Sequence, residues 1–204
     1  VIAVADARAS APGLNPRSID KWSTVADAIA VMAGTGCRIN EARVLRWDDV
    51  DFPSCQLHLR GTKSMSSDRL VSMPDWLRDR LVARRATMTR WSRDIPLEGP
   101  MGPYVFGIDP REVVRNGLIG LTGENRPLDQ SNLAGAVRQC LDDAGLDWAV
   151  PHTFRRTVAS MLHQGGVPLS RIADQLGHSD PALTARVYLG RDLQGDKADL
   201  AALL

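Results

Sequence analysis

The sequence predicts a mainly α-helical fold with one small antiparallel β-sheet. Apolar residues recur at helical spacing in several segments that end at Gly or Pro, and only one pair of short segments alternates as strands do. Hydrophobic residues make up 44% and charged residues 24% of the 204 residues, which is typical of a globular domain. No apolar run reaches the length of a membrane span, and the first residues lack the order of a signal peptide.

The elements follow from spacing and boundary residues. Trp22, Val25 and Ile29 predict a helix over residues 18–33, with Ser18 as its cap. Further helices are predicted at 39–47, 75–93, 131–144, 152–164, 168–176 and 179–188. Two strands are predicted at 56–60 and 69–73, joined by a hairpin loop, and a brief third strand at 104–106. Residues 1–17 are rich in Ala, Pro and Gly, which favours a linker or N-terminal tail. The chain does not begin with Met, which indicates a fragment or a processed protein.

Charge and cysteine content say little about function. The net charge is +1, and residues 38–93 hold twelve Lys or Arg against seven Asp or Glu. Taken alone, this local surplus favours solvated helix faces over a DNA-binding patch. Three cysteines without metal-type spacing favour a reduced intracellular protein. Only three of the 25 basic residues are lysines, and one of them, Lys63, lies in the hairpin loop. Lysine, unlike arginine, can give up its proton.

Four short motifs occur in a fixed order along the chain. They are TGCRINEA at residues 35–42, GTKS at 61–64, HTFR at 152–155 and LGHS at 176–179, the last followed by Tyr188. Together they resemble the motifs of the tyrosine recombinase (phage integrase) family over roughly residues 18–188. The resemblance implies the DNA breaking-rejoining catalytic domain fold, with residues 18–190 as the catalytic domain. It also implies that residues 191–204 form a C-terminal tail helix, which either docks on a neighbouring subunit or packs on its own domain.

The resemblance implies six catalytic residues, and their chemistry suits the roles. They are Arg38, Lys63, His152, Arg155, His178 and Tyr188. Tyr188 is the nucleophile, although ionising a tyrosine at pH 7 costs about 4 kcal/mol without help. The two arginines clamp the phosphate, because a guanidinium binds two oxygens at once and stays charged. His152 acts as general acid or base, His178 hydrogen-bonds a phosphate oxygen, and Lys63 protonates the departing 5′ oxygen.

Each of these residues, taken alone, also fits a structural role. Arg38 can form a salt bridge to Glu41 at a helix start, and Lys63 can be an ordinary loop lysine. The resemblance assigns Glu41 the support of the first arginine. His58 and His163 match no motif and are interpreted as structural, and Tyr104 as a core residue. No pair of His or Cys residues has zinc spacing, so no metal site is expected.

The implied function is site-specific DNA recombination through a 3′-phosphotyrosine intermediate, without metal, ATP or another cofactor. The alternatives are DNA relaxation of the type IB topoisomerase kind and a non-catalytic DNA-binding module. The implied partners are double-stranded DNA and further copies of the chain, with a tetramer in the active complex and a possible monomer otherwise. No membrane partner is expected, and the implied location is the cytoplasm, at the nucleoid, for a bacterial or phage-encoded protein. Family members usually carry an N-terminal DNA-clamping domain, which does not fit before Ser18, so this chain alone is expected to bind DNA weakly.

Overall fold

The computed structural model describes residues 1–61, 68–91, 104–108 and 126–178. Within them the helices are α1 (Ile2–Ala9), α2 (Pro16–Thr35), α3 (Ile39–Arg43), α4 (Asp75–Trp91), α5 (Gln130–Asp143), α6 (Pro151–Gln164) and α7 (Leu169–Leu176). The strands are β1 (Val50–Asp51), β2 (Gln56–Leu59), β3 (Arg69–Ser72), β4 (Gly107–Ile108) and β5 (Arg126–Pro127). The prediction of a mainly α-helical fold with a small antiparallel sheet is confirmed. None of the helices in these ranges is both long and apolar enough to span a membrane.

Helix α2 runs through the main hydrophobic core. Its second half is buried almost all round, and it contacts α1, α3, α4, α5 and α6. Asn15, rather than the predicted Ser18, caps this helix, because the Asn15 side chain accepts a hydrogen bond from the Ser18 backbone N–H at 2.9 Å. Pro16 occupies the first helical position, where its missing N–H costs nothing. The helix ends at Thr35, and its C-cap Gly36 lies two residues before Arg38, the first predicted site residue.

The predicted hairpin forms β2 and β3 of a three-stranded antiparallel sheet in the order β1-β2-β3. Leu57 pairs with Val71 and Leu59 pairs with Arg69, so these four residues share one face. Leu57, Leu59 and Val71 are buried, whereas Leu70 on the opposite face is 64% exposed. Arg69 therefore points to the same side as the core leucines.

Residues 1–17, predicted as a linker or N-terminal tail, contain helix α1. The prediction of an irregular segment is wrong for residues 2–9. Ala5 of α1 is fully buried, and Arg8 pairs with Asp143 of α5 at 2.5 Å. The helix breakers Pro12, Gly13 and Pro16 all lie after α1, whereas its own residues are mostly Ala, Val and Ile. The Pro and Gly residues predicted an irregular segment over all of residues 1–17, but they lie only in the part that follows α1. The boundaries of the catalytic domain remain a prediction.

Two other predicted elements differ because distant backbone segments pair. The helix predicted over residues 39–47 ends at Arg43, since the Leu45 carbonyl accepts the Val105 N–H at 2.8 Å and Arg46 bridges to Tyr104. The strand predicted at 104–106 is a turn with a buried Phe106, and the strand that follows pairs Gly107–Ile108 with Arg126–Pro127. The helix predicted at 179–188 and the tail at 191–204 lie outside the described residues.

Part of the arginine surplus in α4 serves the fold. Arg80 donates to Asp27 of α2 and to Asp6 of α1, and Arg84 donates to Asp27, to Thr24 and to the Val105 carbonyl. Arg84 is 7% exposed, so its charge is compensated inside the core. These arginines are neither a solvated face nor a DNA-binding patch.

Candidate active site

The first site residue is displayed by a sharp turn at the end of α2. Gly36 has φ +72°, in the left-handed region that favours glycine. The chain then reverses into α3, whose first turn contains Glu41. The Arg38 backbone N–H and its Nη1 both donate to the Glu41 carboxylate at 2.8 Å. Arg38 is thus held at a helix start while 44% of its side chain stays exposed.

Gly36 also has no room for a side chain. A Cβ there would lie 2.7 Å from Leu176 Cδ2 of α7 and 3.2 Å from Val158 Cγ1 of α6. We expect Gly36→Ala to lower the free energy of unfolding by about 1–2 kcal/mol for the left-handed backbone and about 1–3 kcal/mol more for overpacking. Urea denaturation measures the loss. Gly166→Ala is the matched control, because Gly166 has φ +74° with open space around it. Equal losses in the two variants would show that the contact with Leu176 and Val158 costs nothing.

Helix α6 supplies the second and third site residues. Pro151 occupies its first position, and the Thr153 hydroxyl accepts the Val150 N–H at 3.0 Å. This start places His152 in the exposed first turn, with Arg155 one turn on and 1% exposed. Arg155 Nη1 donates to the Gly36 carbonyl at 3.1 Å. The second arginine is therefore anchored to the turn that displays the first.

Helix α7 brings the fourth residue to the same place. Gly177 ends the helix with φ +67°, and the His178 N–H donates to the Ala173 carbonyl at 3.0 Å. The side chain of Gln175 connects this helix to β3: it accepts the Ser72 N–H and donates to the Ser72 carbonyl, each at 3.0 Å. It also donates to the Thr35 carbonyl at 3.3 Å. The end of α7 is thereby fixed to both the hairpin and the end of α2.

The charges of these residues act on one another. Burial is the largest cause that lowers the pKa of His178 to about 4, followed by the charges of Arg155, Arg38 and Arg69 and by a smaller effect of His152. Partial desolvation, followed by the charges of Arg155, Arg156 and Arg38, lowers the pKa of His152. Both imidazoles are therefore neutral at pH 7, next to permanent cations. Such a site attracts an anion while keeping a histidine nitrogen able to accept a proton.

These histidines predict a pH dependence of stability. Unfolding restores the ordinary pKa of 6.5 to His178, so between pH 6.5 and about 4 the unfolded chain binds more protons than the folded one. The stability that the neutral His178 imidazole contributes is fully present above pH 6.5 and is lost as the pH falls toward 4. The pKa of His152 is also lowered in the folded protein, so His152 likewise reduces the stability as the pH falls. We expect His178→Gln to destabilise less at pH 5 than at pH 7.5 in urea denaturation. An equal effect at both pH values would contradict the linkage.

Arg69 joins the site although no motif pointed to it. Its Nη1 and Nη2 donate to the two oxygens of Glu41 at 3.1 Å, and its Nε donates to the Gln175 carbonyl at 3.0 Å. The sequence held one signal: two-residue periodicity puts Arg69 on the face of Val71 and leaves Leu70 outside. An inward arginine requires a buried acceptor, but the pattern could not say that the acceptor is Glu41, 28 residues earlier.

Lys63 and Tyr188 lie outside the described residues, so the structure brings together four of the six predicted residues. The base of the hairpin that carries Lys63 is described. His58 Nε2 contacts Asp68 Oδ1 at 2.5 Å, and Arg60 donates to both oxygens of Asp49 at 2.7–3.0 Å. His58, interpreted from the sequence as structural, thus connects β2 to the residue that follows the loop. In the described ranges no group of three His, Cys, Asp or Glu side chains is placed to hold a metal ion.

Comparison with known proteins identifies the family. The model of the phage integrase family matches residues 14–194, nearly the whole chain. The chain belongs to the phage integrase family. Among curated members, an integrase of Streptomyces ambofaciens is 30% identical over 78% of this chain and 42% of its own length. A XerC-like tyrosine recombinase of Caldanaerobacter subterraneus is 24% identical over 76% of the chain and 42% of its length. This integrase-family chain therefore spans about half the length of the curated relatives it matches.

Solved structures show the same fold. The structure of XerH recombinase with a palindromic difH substrate in a post-cleavage complex matches with a TM-score of 0.65 at 18% identity, over 98% of this chain and 50% of that one. XerA recombinase matches with a TM-score of 0.62 at 22% identity, over 91% and 55%. The predicted catalytic-domain fold is thereby confirmed. The roles of the individual site residues stay predictions.

Proposed function

We propose that this chain cuts and rejoins DNA strands in site-specific recombination, through a covalent 3′-phosphotyrosine. The observation that carries the proposal is the cationic cluster. Arg38, Arg155, His152 and His178 come from three separate segments, and their charges influence one another. A cluster with two arginines beside two neutral imidazoles suits a phosphodiester, whose transition state gathers negative charge on its oxygens.

The proposed reaction consists of two transesterifications. The Tyr188 hydroxyl oxygen forms a bond to phosphorus while the bond from phosphorus to the 5′ oxygen breaks. His152 takes the proton of the tyrosine, and Lys63 donates a proton to the departing 5′ oxygen. A 5′ hydroxyl of another strand then attacks the phosphotyrosine, and the protons return. The number of phosphodiester-type bonds is unchanged, so the cycle consumes no ATP.

The four described residues divide the work at the phosphate. Arg38, as the exposed cation, meets the DNA backbone first, and Arg155 contributes donors from the buried side. His178 donates an N–H to a phosphate oxygen, since its neutral ring carries one proton. The burial of Arg155 and the partial burial of His178 strengthen these hydrogen bonds relative to water.

The proposed partners follow from the family. XerH and the Tn1549 integrase have been solved on DNA. We propose that this chain likewise binds double-stranded DNA, assembles into an oligomer such as a tetramer on it, and works at the bacterial nucleoid. Affinity that comes from phosphate contacts should fall with added salt.

Covalent trapping tests the proposal. A binding site is first selected from random duplexes with the protein, and a nicked duplex with that site is then incubated with the protein in EDTA. We expect a denaturation-resistant adduct that retains a label at the 5′ end of the cleaved strand. A plasmid with two copies of the site should then yield site-dependent exchange products. Relaxation without exchange would indicate a topoisomerase-like enzyme, and selected binding without an adduct would indicate a non-catalytic module.

A further inference from the structure

Glu41 lies between two arginines of unequal exposure. Arg38 approaches one of its oxygens at 2.8 Å and is 44% exposed, whereas Arg69 spans both oxygens at 3.1 Å and is 7% exposed. Glu41 itself is 9% exposed. Two positive charges thus face one negative charge, and the surplus charge lies on the member that solvent can reach.

Without Arg69 the surplus of positive charge at Arg38 would disappear. The Glu41 carboxylate would then have Arg38 as its one guanidinium partner in this network, and a one-to-one ion pair carries no net charge. A neutralised arginine attracts a phosphate less strongly, and the buried carboxylate would repel it. Arg69, Arg38 and burial also act on the carboxylate: burial raises its pKa, while the hydrogen bonds from Arg69 and Arg38 outweigh that and hold the pKa below its ordinary value.

Arg69 is fixed in place from the opposite side. Its Nε donates to the Gln175 carbonyl, and a Cβ on Gly177 would lie 2.8–2.9 Å from its Nη1, Cδ and Cζ atoms. The guanidinium therefore fills the space between Glu41 and the turn that precedes His178. It cannot swing away from the carboxylate without disturbing that turn.

We propose that Arg69 is a positioning residue: it holds Glu41 as its own counter-ion and so leaves the charge of Arg38 available to the DNA phosphate. The inference rests on the proposed function, since it assumes that Arg38 binds the phosphate. Arg69 need not touch the DNA. Its contribution passes through Glu41 to Arg38.

A second-site rescue tests this proposal. We expect Arg69→Met to slow adduct formation on the nicked duplex by about 100-fold, the scale of losing one pre-aimed phosphate donor. Adding Glu41→Gln removes the uncompensated carboxylate, so the double variant should form adduct at least about tenfold faster than Arg69→Met. Arg69→Lys keeps the charge but cannot span both oxygens, and should fall between the parent and Arg69→Met. A double variant as slow as Arg69→Met, or slower, would overturn the proposal.

A binding measurement separates this proposal from the proposed chemistry. In a Tyr188→Phe background, the slope of log affinity against log salt counts neutralised phosphates at about 0.9 per contact. Arg69→Met should reduce the slope by about one contact, and Glu41→Gln should restore it. Arg80→Met is the control, because it breaks the ion pairs to Asp6 and Asp27 far from Arg38 and should leave the slope unchanged. Equal slopes in the parent and Arg69→Met would refute the role of Arg69 even if the parent forms no adduct.

Discussion

Tyr188→Phe should form no covalent adduct with DNA while still binding it. Phenylalanine lacks the oxygen that bonds to phosphorus, and no other group in the proposed cluster can replace it. Binding should persist, because the affinity comes from phosphate contacts made by arginines and neighbouring side chains. The measurement is the fraction of labelled nicked duplex that enters a denaturation-resistant band, with binding followed separately by gel shift.

Tyr104→Phe is the matched control, since the chain has only two tyrosines. Tyr104 is half-buried and bridges to Arg46, so it belongs to the packing between residues 45–46 and the turn at 104–106. This variant should cleave as the parent does. Digestion of the adduct and mass spectrometry should find the nucleotide on the peptide that contains Tyr188. An adduct that survives Tyr188→Phe would move the nucleophile elsewhere.

The sequence predicted six of the seven described helices, because each of those has its own signals, whereas α1 was not predicted. Trp22, Val25 and Ile29 mark the buried face of α2, and Gly36 and Gly177 mark the ends of α2 and α7 at left-handed residues. Errors occurred where the decisive partner is distant in the chain. Leu45 leaves the helical conformation because it pairs with Val105, 60 residues later, and no local pattern contains that information.

The candidate site divides in the same way. Motif residues such as Arg38 and His178 could be chosen from the sequence, since each follows a glycine turn within a recognisable string. The residues that hold them in place could not be chosen in this way. Arg69 binds Glu41 and the Gln175 carbonyl, which lie 28 and 106 residues away from it in the sequence. The burial of Arg155 is also a property of the fold, as it depends on how α6 packs under the Gly36 turn.

Contacts between charged residues explain how a chain with a net charge of only +1 can act on DNA. Asp27 forms an ion pair with Arg84, and Asp49 forms one with Arg60. Asp143 pairs in the same way with Arg8. Acidic residues thus compensate structural arginines, while the cluster near Arg38 carries a surplus of positive charge. Overall charge could not reveal this, because it adds both groups together.

Arg155→Lys should slow cleavage by about 10²–10³-fold and weaken DNA binding much less. A lysine keeps the positive charge, but its single ammonium cannot present two parallel N–H groups to two phosphate oxygens. The need for such donors is greatest in the transition state, when negative charge grows on those oxygens, so the loss should appear in the rate rather than in affinity. Single-turnover adduct formation at saturating protein measures the rate, and gel shift measures binding.

Arg156→Lys is the control for this prediction, because it makes the same chemical change one position along α6 on an exposed side chain. It should cleave at nearly the parental rate. Arg155→Lys also alters the bond to the Gly36 carbonyl, so urea denaturation of both variants must accompany the kinetics. If Arg155→Lys keeps the parental rate, or if both variants slow equally, the buried guanidinium is a structural anchor of the Gly36 turn. A rate loss confined to Arg155→Lys in a folded protein instead assigns the guanidinium to the phosphate.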